Sequence, residues 1–386
     1  MYQHISEYQK VMKENQIAVS VLRLPQNITL FSQYWSRNGY SYVTVPAEGK
    51  PSVVVPIAEK GDAEEAGLDN VYVYDDIDMQ AEDTDTQIKK IFSKLAKEYG
   101  ITENSVIGLE LDYDVIAPCL CSGKVSLVGE KVKKLVAEGF GSSQFVTVKH
   151  LITDVMAVKN DSDIEKIKIV NELAAQAMDK FEEMINVPGI KEVEVVYEIE
   201  KYLQIKARDY KGAKACRAWG QLSTGKKGEI AACDGVISDS RTLKKGDCCL
   251  YELGVCVDGY WADVTRSAVV GGAEGKSKEM MDLVEKSFQA GVDAVKIGAT
   301  GRDIDVATRK VMEDAGYGKY YANPAGHGVG FSYHESIPEL TPSSDTVLRE
   351  NMIIAIEPAL YVPGIGGLRK ELNVLVTKEG GVVLGW

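Results

Sequence analysis

The stretch CCLYELGVCVDGYWADVTRSAVV, residues 248 to 270, limits what this chain can fold into more than any other. An Asp-Gly pair between two apolar runs is a two-residue hairpin signal, because a type I′ turn needs positive φ at both central positions. Centring the turn on Asp258 and Gly259 pairs Val257 with Tyr260 and sets Gly254 opposite Asp263. Glu252, two residues back from Gly254, then shares a face with Asp263 at a diagonal spacing of about 7–8 Å. Two carboxylates embedded in an otherwise apolar and aromatic hairpin are expected to face a site. The glycine between them is expected to leave a hole the size of an ion or a water.

A second segment repeats the pattern. In NMIIAIEPALYV, alternation places Ile353, Ala355 and Glu357 on one face, and Pro358 ends regular pairing. In GGLRKELNVLVT, Arg369, Glu371 and Asn373 share a face. A buried carboxylate without a partner is costly and is relieved by protonation, an ion pair or a cation. Glu252, Asp263, Glu357 and Glu371 outnumber what Arg369 can neutralise. A pair of divalent ions satisfies all four, and carboxylates with an imidazole suit Mn²⁺, Fe²⁺, Co²⁺ or Zn²⁺. Two ions about 3.5–4 Å apart can share a hydroxide and polarise an acyl group. The imidazole is supplied by NPAGHGVGFSYHES, which holds two of the chain's four histidines. His327 is the candidate ligand, its flanking Gly326 and Gly328 keeping side chains away from an ion or substrate. His334 is placed to donate to a developing oxyanion. His4 and His150 stand alone and read as structural.

The 386 residues are enough for two domains. Up to about residue 154, strand-like and helix-like stretches alternate, as in an α/β domain, with DTQIKKIFSKLAKEYG a helix that buries Ile88, Ile91, Phe92 and Leu95. The spacing of Ser162 and Glu165 predicts a capping box for a long helix that opens the second domain, 155–386. There an order of elements occurs twice. Helices over 162–185 and 190–207 precede strands over 248–270; helices over 276–297 and 302–315 precede strands over 352–376. Two helices and a hairpin, repeated, imply a pseudo-symmetric α+β domain. The lysine-bearing segment KGAKACRAWGQLSTGKKGE reads as a solvated loop, and Trp219, Tyr260 and Trp261 either line a pocket or pack.

A net charge of −13 is the wrong sign for nucleic acid or an anionic membrane, which leaves a small peptide or other small molecule as partner. No run of about 18 apolar residues is present, and the first residues carry no secretory pattern, so the cytoplasm is expected. The seven cysteines, Cys119, Cys121, Cys216, Cys233, Cys248, Cys249 and Cys256, read as reduced thiols, since their spacing lacks the C-x-x-C of zinc sites.

Taken together, ELGVCVDGYWADVTRS, GHGVGFSYHESIPEL, IEPALYV and GGLRKELNVLVT resemble, in order, the ligand motifs of the pita-bread metallohydrolases: Xaa-Pro aminopeptidases, prolidases, methionine aminopeptidases and creatinases. PQNITLFSQYW and GYSYVTVPAEGKP resemble the N-terminal domain of the proline-specific members. The resemblance implies a creatinase-like N-terminal domain, a pita-bread catalytic domain and a homodimer. It implies that Asp263 and Glu371 bridge two metal ions, manganese before cobalt, zinc or iron, that Glu252 holds one, and that His327 and Glu357 hold the other. It also implies that His334 contacts substrate, that Arg369 stands beside the bridging glutamate, and that the reaction is hydrolysis of an amide C–N bond by a metal-bridging hydroxide. Two residues depart from the peptidase pattern. Glu252 stands where an aspartate is usual, and Gly235 stands where a histidine is usual. These departures admit a creatinase-like hydrolase or lyase of an N-methylated or cationic compound, or a scaffold that has lost its chemistry.

Overall fold

The computed structural model describes residues 2–37, 40–68, 70–78, 80–112, 129–230 and 238–386. Cys119, Cys121, Cys233 and Gly235 lie outside them. The chain divides into two compact units, with the division between Met156 and Ala157.

The first unit runs α1 (Tyr2–Glu14), β1 (Ile17–Leu22), α2 (Pro25–Ser32), β2 (Tyr42–Pro46), β3 (Ser52–Pro56), α3 (Lys60–Glu65), β4 (Val71–Tyr74), α4 (Thr84–Glu98), β5 (Val106–Leu109), α5 (Glu130–Phe140), β6 (Gln144–Thr147) and α6 (Lys149–Ala157). Its strands form one mixed sheet in the order β4-β3-β2-β1-β5-β6. Ile88, Phe92 and Leu95 of α4 are buried against Val19, Val54 and Ile107 of that sheet, and Ile91 is partly buried at its margin. The apolar stripe expected of this helix is the stripe it buries.

The second unit opens with α7 (Asp161–Met184) and α8 (Glu192–Lys206), followed by β7 (Cys216–Thr224), β8 (Cys248–Val257) and β9 (Tyr260–Val269). The cap of α7 lies two residues before the expected one. Asn160 Oδ1 accepts from the Asp163 backbone N–H at 3.1 Å and Asp163 answers at 3.0 Å. Both placements have capping-box spacing. The carboxylate of Asp163 also accepts from Tyr260 OH at 2.9 Å, which ties the start of the helix to the hairpin.

The hairpin has the expected register, with Val257 opposite Tyr260 and Gly254 opposite Asp263. Asp258 and Gly259 take φ of 50° and 89°. The segment around Trp219, expected to be a solvated loop, is instead β7, a nine-residue strand antiparallel to β8. The lysines flank the strand, and Gly220 interrupts its alternation. The glycine is required because a Cβ there would stand 2.2 Å from Tyr251 OH, whose ring crosses the strand.

The second half begins with α9 (Gly275–Ala294) and α10 (Gly301–Asp314). Then come β10 (Gly326–Gly328), β11 (Glu335–Leu340), β12 (Ile353–Ile356), β13 (Ala359–Val362), β14 (Gly366–Arg369), β15 (Leu372–Thr377) and β16 (Gly380–Val383). The order helix, helix, hairpin therefore does recur, but each hairpin is widened: the first by β7, the second into a five-stranded sheet β11-β10-β12-β15-β16. The second hairpin is also broken. Its outer part, β13-β14, forms a separate two-stranded ladder, and the breaks fall at Glu357-Pro358 and Lys370-Glu371.

The two halves meet along a polar seam. Thr265 and Glu371 exchange backbone hydrogen bonds of 3.1 and 3.0 Å. On one side of that pair, Asn373 Nδ2 donates to the Asp263 carbonyl at 2.7 Å. On the other, Ser267 Oγ donates to the Arg369 carbonyl at 2.9 Å and accepts from its N–H at 2.8 Å.

The segment joining β10 to β11 is anchored by a buried ion pair. Lys159 Nζ lies 2.5 Å from Glu335 Oε2, and Glu335 Oε1 accepts from the Phe331 N–H at 2.8 Å. Lys159 is 0% exposed and Glu335 5%. Removing one member of such a pair strands the other charge. Lys159→Met is expected to cost about 3–5 kcal/mol in urea unfolding. Combining it with Glu335→Leu should recover a large part of that loss.

Candidate metal centre

Seven strands converge on one cavity of about 270 Å³. β8 supplies Glu252, β9 supplies Asp263 and β10 supplies His327. His334 precedes β11, Glu357 follows β12, and Arg369 and Glu371 flank the break between β14 and β15. All are buried except His334, which is partly exposed. The breaks in the second hairpin explain why Glu357 and Glu371 reach the cavity: each lies where its strand leaves one ladder for the next.

The centre of the group is His327 Nε2. It lies 3.4 Å from Asp263 Oδ2, 3.8 Å from Glu357 Oε1 and 3.9 Å from Glu371 Oε1. His334 Nε2 is 3.1 Å from the same Asp263 oxygen, and the two imidazoles stack with centroids 3.6 Å apart. Two sets of potential ligands result, sharing His327: Asp263, His327 and His334, and His327, Glu357 and Glu371.

The ring of His327 is oriented by the carbonyl of Gly328, 2.8 Å from Nδ1, which makes Nδ1 the donor and turns Nε2 to the cavity. Both oxygens of Asp263 and Nε2 of His327 are buried with no hydrogen-bond partner among the described residues. Buried polar atoms of this kind are normally satisfied. Anionic oxygens and an imidazole nitrogen pointing into shared space are the donor set of a divalent cation, so the residues fit a metal ion.

The charges of the group strain one another. Burial pushes the Glu357 carboxyl up to about 7, opposed by Arg369 and His327 and reinforced by Asp263 and Glu252. Burial and the neighbouring carboxylates of Asp263 and Glu357 hold Glu371 well above the ordinary range. Burial disfavours the charged form of His327, yet Asp263 and Glu357 more than offset it and raise its pKa to about 9. Asp263 is buried as well, but the two imidazoles hold its carboxyl low. Burial and the neighbouring His327 lower His334.

Arg369 is the one guanidinium in this cluster. Its Nη2 bonds Glu252 Oε2, its Nη1 lies 3.4 Å from Glu357 Oε2, and its Nε lies 3.7 Å from Glu371 Oε2. Thr265 Oγ1 sits between them, accepting from Arg369 Nε at 3.0 Å and donating to Glu371 Oε2 at 2.7 Å. Glu252 is turned toward this arginine and toward Tyr333, whose hydroxyl donates to its Oε1 at 2.6 Å. Of the residues proposed from sequence as ligands, it alone belongs to neither donor set.

Two readings of glycine are corrected. No ion-sized hole exists at Gly254: a Cβ there would meet Trp219 Nε1 at 2.4 Å and the Tyr333 ring at 3.0 Å, so the space belongs to aromatic side chains. A Cβ on Gly326 would lie 1.8 Å from the Ala355 carbonyl, and one on Gly328 2.4 Å from that of Ile337. These glycines let the neighbouring strands close on His327; they do not clear room for an ion.

Sequence reasoning passed over Thr265, Asn373 as a staple, and Tyr333. Thr265 lies two residues beyond Asp263 on the same face of β9, a signal strand alternation already contains. Tyr333 adjoins His334, but nothing local shows that its hydroxyl crosses to β8.

Residues 165–378 match the model of Metallopeptidase family M24. The Xaa-Pro dipeptidase of Pyrococcus furiosus is 30% identical over 384 residues, covering 98% of this chain and 97% of that protein. The Xaa-Pro dipeptidase of Pyrococcus horikoshii is 34% identical over 238 residues, 61% of this chain and 65% of that relative. Among solved structures, a prolidase from Pyrococcus horikoshii OT3 superposes with a TM-score of 0.78 at 25% identity, over 100% of this chain and 98% of the other. The architecture is that of the pita-bread metallohydrolases, and the chain belongs to metallopeptidase family M24, as a hydrolase.

Proposed function

We propose that this protein is a metal-dependent dipeptidase that cleaves the amide bond preceding proline in small peptides. The observation that carries the reading is the buried donor set of Asp263, His327, Glu357 and Glu371 around a shared centre, three of whose atoms have no hydrogen-bond partner among the described residues. The whole-length similarity to an Xaa-Pro dipeptidase supports the choice of substrate. So does the cavity, which at about 270 Å³ suits a ligand of dipeptide size better than a folded protein.

In this reading Asp263, His327, Glu357 and Glu371 would hold the divalent ions. The ions, when bound, polarise the substrate carbonyl and activate water. The remaining steps belong to side chains. Glu357 accepts the proton released as the nucleophile forms and returns it to the departing imino nitrogen of proline. His334 donates from the partly exposed side of the cavity to the oxygen that gains negative charge. Arg369 holds Glu357 and Glu371 in place and limits their mutual repulsion.

The reading also includes manganese as the working ion, because carboxylate-rich sets with one or two imidazoles are hard to borderline donors. A cytoplasmic location accords with the buried, reduced thiols of Cys216, Cys248 and Cys249. A homodimer completes it, to be checked by light scattering.

Hydrolysis of Xaa-Pro dipeptides should disappear on dialysis against a chelator and return with Mn²⁺. Persistence of cleavage after metal removal, or inactivity on these dipeptides with turnover of small N-methylated compounds instead, would overturn the assignment. Glu357→Gln and His334→Ala should each lower kcat by about 10²–10⁴-fold. The two should differ in metal content: Glu357→Gln lowers it, whereas His334→Ala retains the ions held by Asp263, His327, Glu357 and Glu371.

A further inference from the structure

The lining of the cavity carries more acid than the metal centre accounts for. Glu252, Asp263, Glu335, Glu339, Glu357 and Glu371 all border it, against Arg369. Glu335 is neutralised by Lys159. Glu252, Asp263, Glu357 and Glu371 lie around Arg369 and His327. Glu339 is left over: it is exposed, and its carboxylate has no ion pair or hydrogen bond among the described residues. We propose that Glu339 and Asn323 form a subsite for a basic side chain, so that the enzyme prefers Xaa-Pro dipeptides whose first residue is arginine or lysine. The proposal deepens the dipeptidase reading above and rests on it.

The chain places Glu339 with some care. β11 is the edge strand of its sheet, and its register against β10 is interrupted. Gly328 faces Glu335, whereas His327 faces Glu339, so residues 336–338 loop out between the two pairs. The loop returns Glu339 to the position across from His327, and directly opposed residues share a face with Cβ atoms about 4.5–5.5 Å apart. Thr341, two residues on, borders the same cavity, while Leu340 between them is buried.

Asn323 supplies a second acceptor. The Ala325 N–H donates to the Leu340 carbonyl at 2.8 Å, which carries the pairing of β10 and β11 toward Asn323. Asn323 borders the cavity and is 7% exposed. Its Nδ2 donates to the carbonyls of Pro324 at 2.8 Å and Glu357 at 3.0 Å, which fixes Oδ1 as the remaining atom. That oxygen is buried with no hydrogen-bond partner among the described residues. Buried acceptors are normally satisfied. A carboxylate and an amide oxygen both accept and neither donates, so the ligand group that suits the pair is a donor with positive charge.

Charge then selects the substrate. In the metal-hydrolase reading the ions and Arg369 offset the four inner carboxylates, and Glu339 remains as the negative charge on the exposed side of the cavity. Every Xaa-Pro dipeptide carries the same α-ammonium and the same proline carboxylate. A charge at the mouth therefore separates one dipeptide from another only through the Xaa side chain. Arginine and lysine lay an apolar stem along a surface and keep the charged end in water, as an exposed acid requires. Because that acid is solvated, it confers a preference of several-fold and not an absolute requirement.

Steady-state hydrolysis of Arg-Pro, Leu-Pro and Glu-Pro at low ionic strength tests the subsite, and kcat/KM should fall in that order. In Glu339→Gln the ratio of Arg-Pro to Glu-Pro should shrink by at least about five-fold, chiefly through KM, and Glu339→Lys should invert the order. Added salt should compress the ratio in the unaltered protein and leave that of Glu339→Gln in place. Manganese bound per chain, counted by elemental analysis, should be the same in all three proteins. A binding measurement needs no turnover: calorimetric titration should show argininamide held more tightly than leucinamide, a difference that Glu339→Gln removes.

Cleavage of the dipeptides with a ratio that Glu339→Gln does not move, or equal affinity for argininamide and leucinamide, would overturn the subsite and leave the dipeptidase reading standing. Loss of manganese in Glu339→Gln would also overturn it, by making Glu339 a ligand. No cleavage of any of the dipeptides, with argininamide still favoured through Glu339, would support the subsite while overturning the substrate assignment.

Discussion

The pairing of Thr265 with Glu371 is the contact on which the rest of the catalytic unit depends. It is one antiparallel bridge, two backbone hydrogen bonds of about 3 Å, yet it joins the three-stranded sheet of the first half to the broken hairpin of the second. Residues at i and i ± 2 on either side fall on one face because strand side chains alternate. Asp263 and Asn373 meet on one side of the bridge, and Ser267 and Arg369 meet on the other. A shift of one residue in this seam would turn the acid of the slipped strand, Asp263 or Glu371, away from the cavity and separate the two. Register, more than any individual side-chain contact, brings acids from sequence positions 108 apart into one group.

That convergence has an electrostatic cost which the fold meets unevenly. Arg369 serves Glu252, Glu357 and Glu371, while Asp263 has only the two imidazoles. Burial first, and the neighbouring carboxylates after it, raise Glu357 and Glu371 and give them a tendency to hold protons. A divalent cation is a stronger remedy than a proton, because it acts on several oxygens at once. Donor atoms poised 3–4 Å from one another are therefore an arrangement in which charge repulsion becomes affinity.

Much of this was legible in the sequence because it rests on rules of short range. The Asp258-Gly259 turn sets the hairpin register by itself, and that register fixes the shared face of Glu252, Gly254 and Asp263. The four long helices of the catalytic unit lie within a few residues of where their apolar periodicity places them. What failed was of two kinds. β7 was hidden because Gly220, demanded by a tyrosine on the next strand, breaks the alternation that identifies a strand. The role of the site glycines was misassigned because a sequence shows that a side chain is missing but not what takes its place. At Gly254 it is an indole, and at Gly326 and Gly328 it is backbone. The direction taken by the carboxylate of Glu252 belongs to the same class, since both of its partners come from the other half of the unit, 81 and 117 residues away.

These long-range partners explain why the aromatic residues count as part of the site although they carry no metal-binding atoms. Trp219 on β7, Trp261 on β9 and Tyr333 before β11 pack against one another across the junction of the two halves. A glycine at 254 is the condition for that packing, because any side chain there would expel the indole and the phenol together. The same absence of a Cβ thus fixes the position of the hydroxyl that holds Glu252 and of the ring that supports His334. The aromatic cluster carries a packing constraint on β8 to the positions of Glu252 and His334, and the buried pair of Lys159 and Glu335 secures the segment that bears Tyr333.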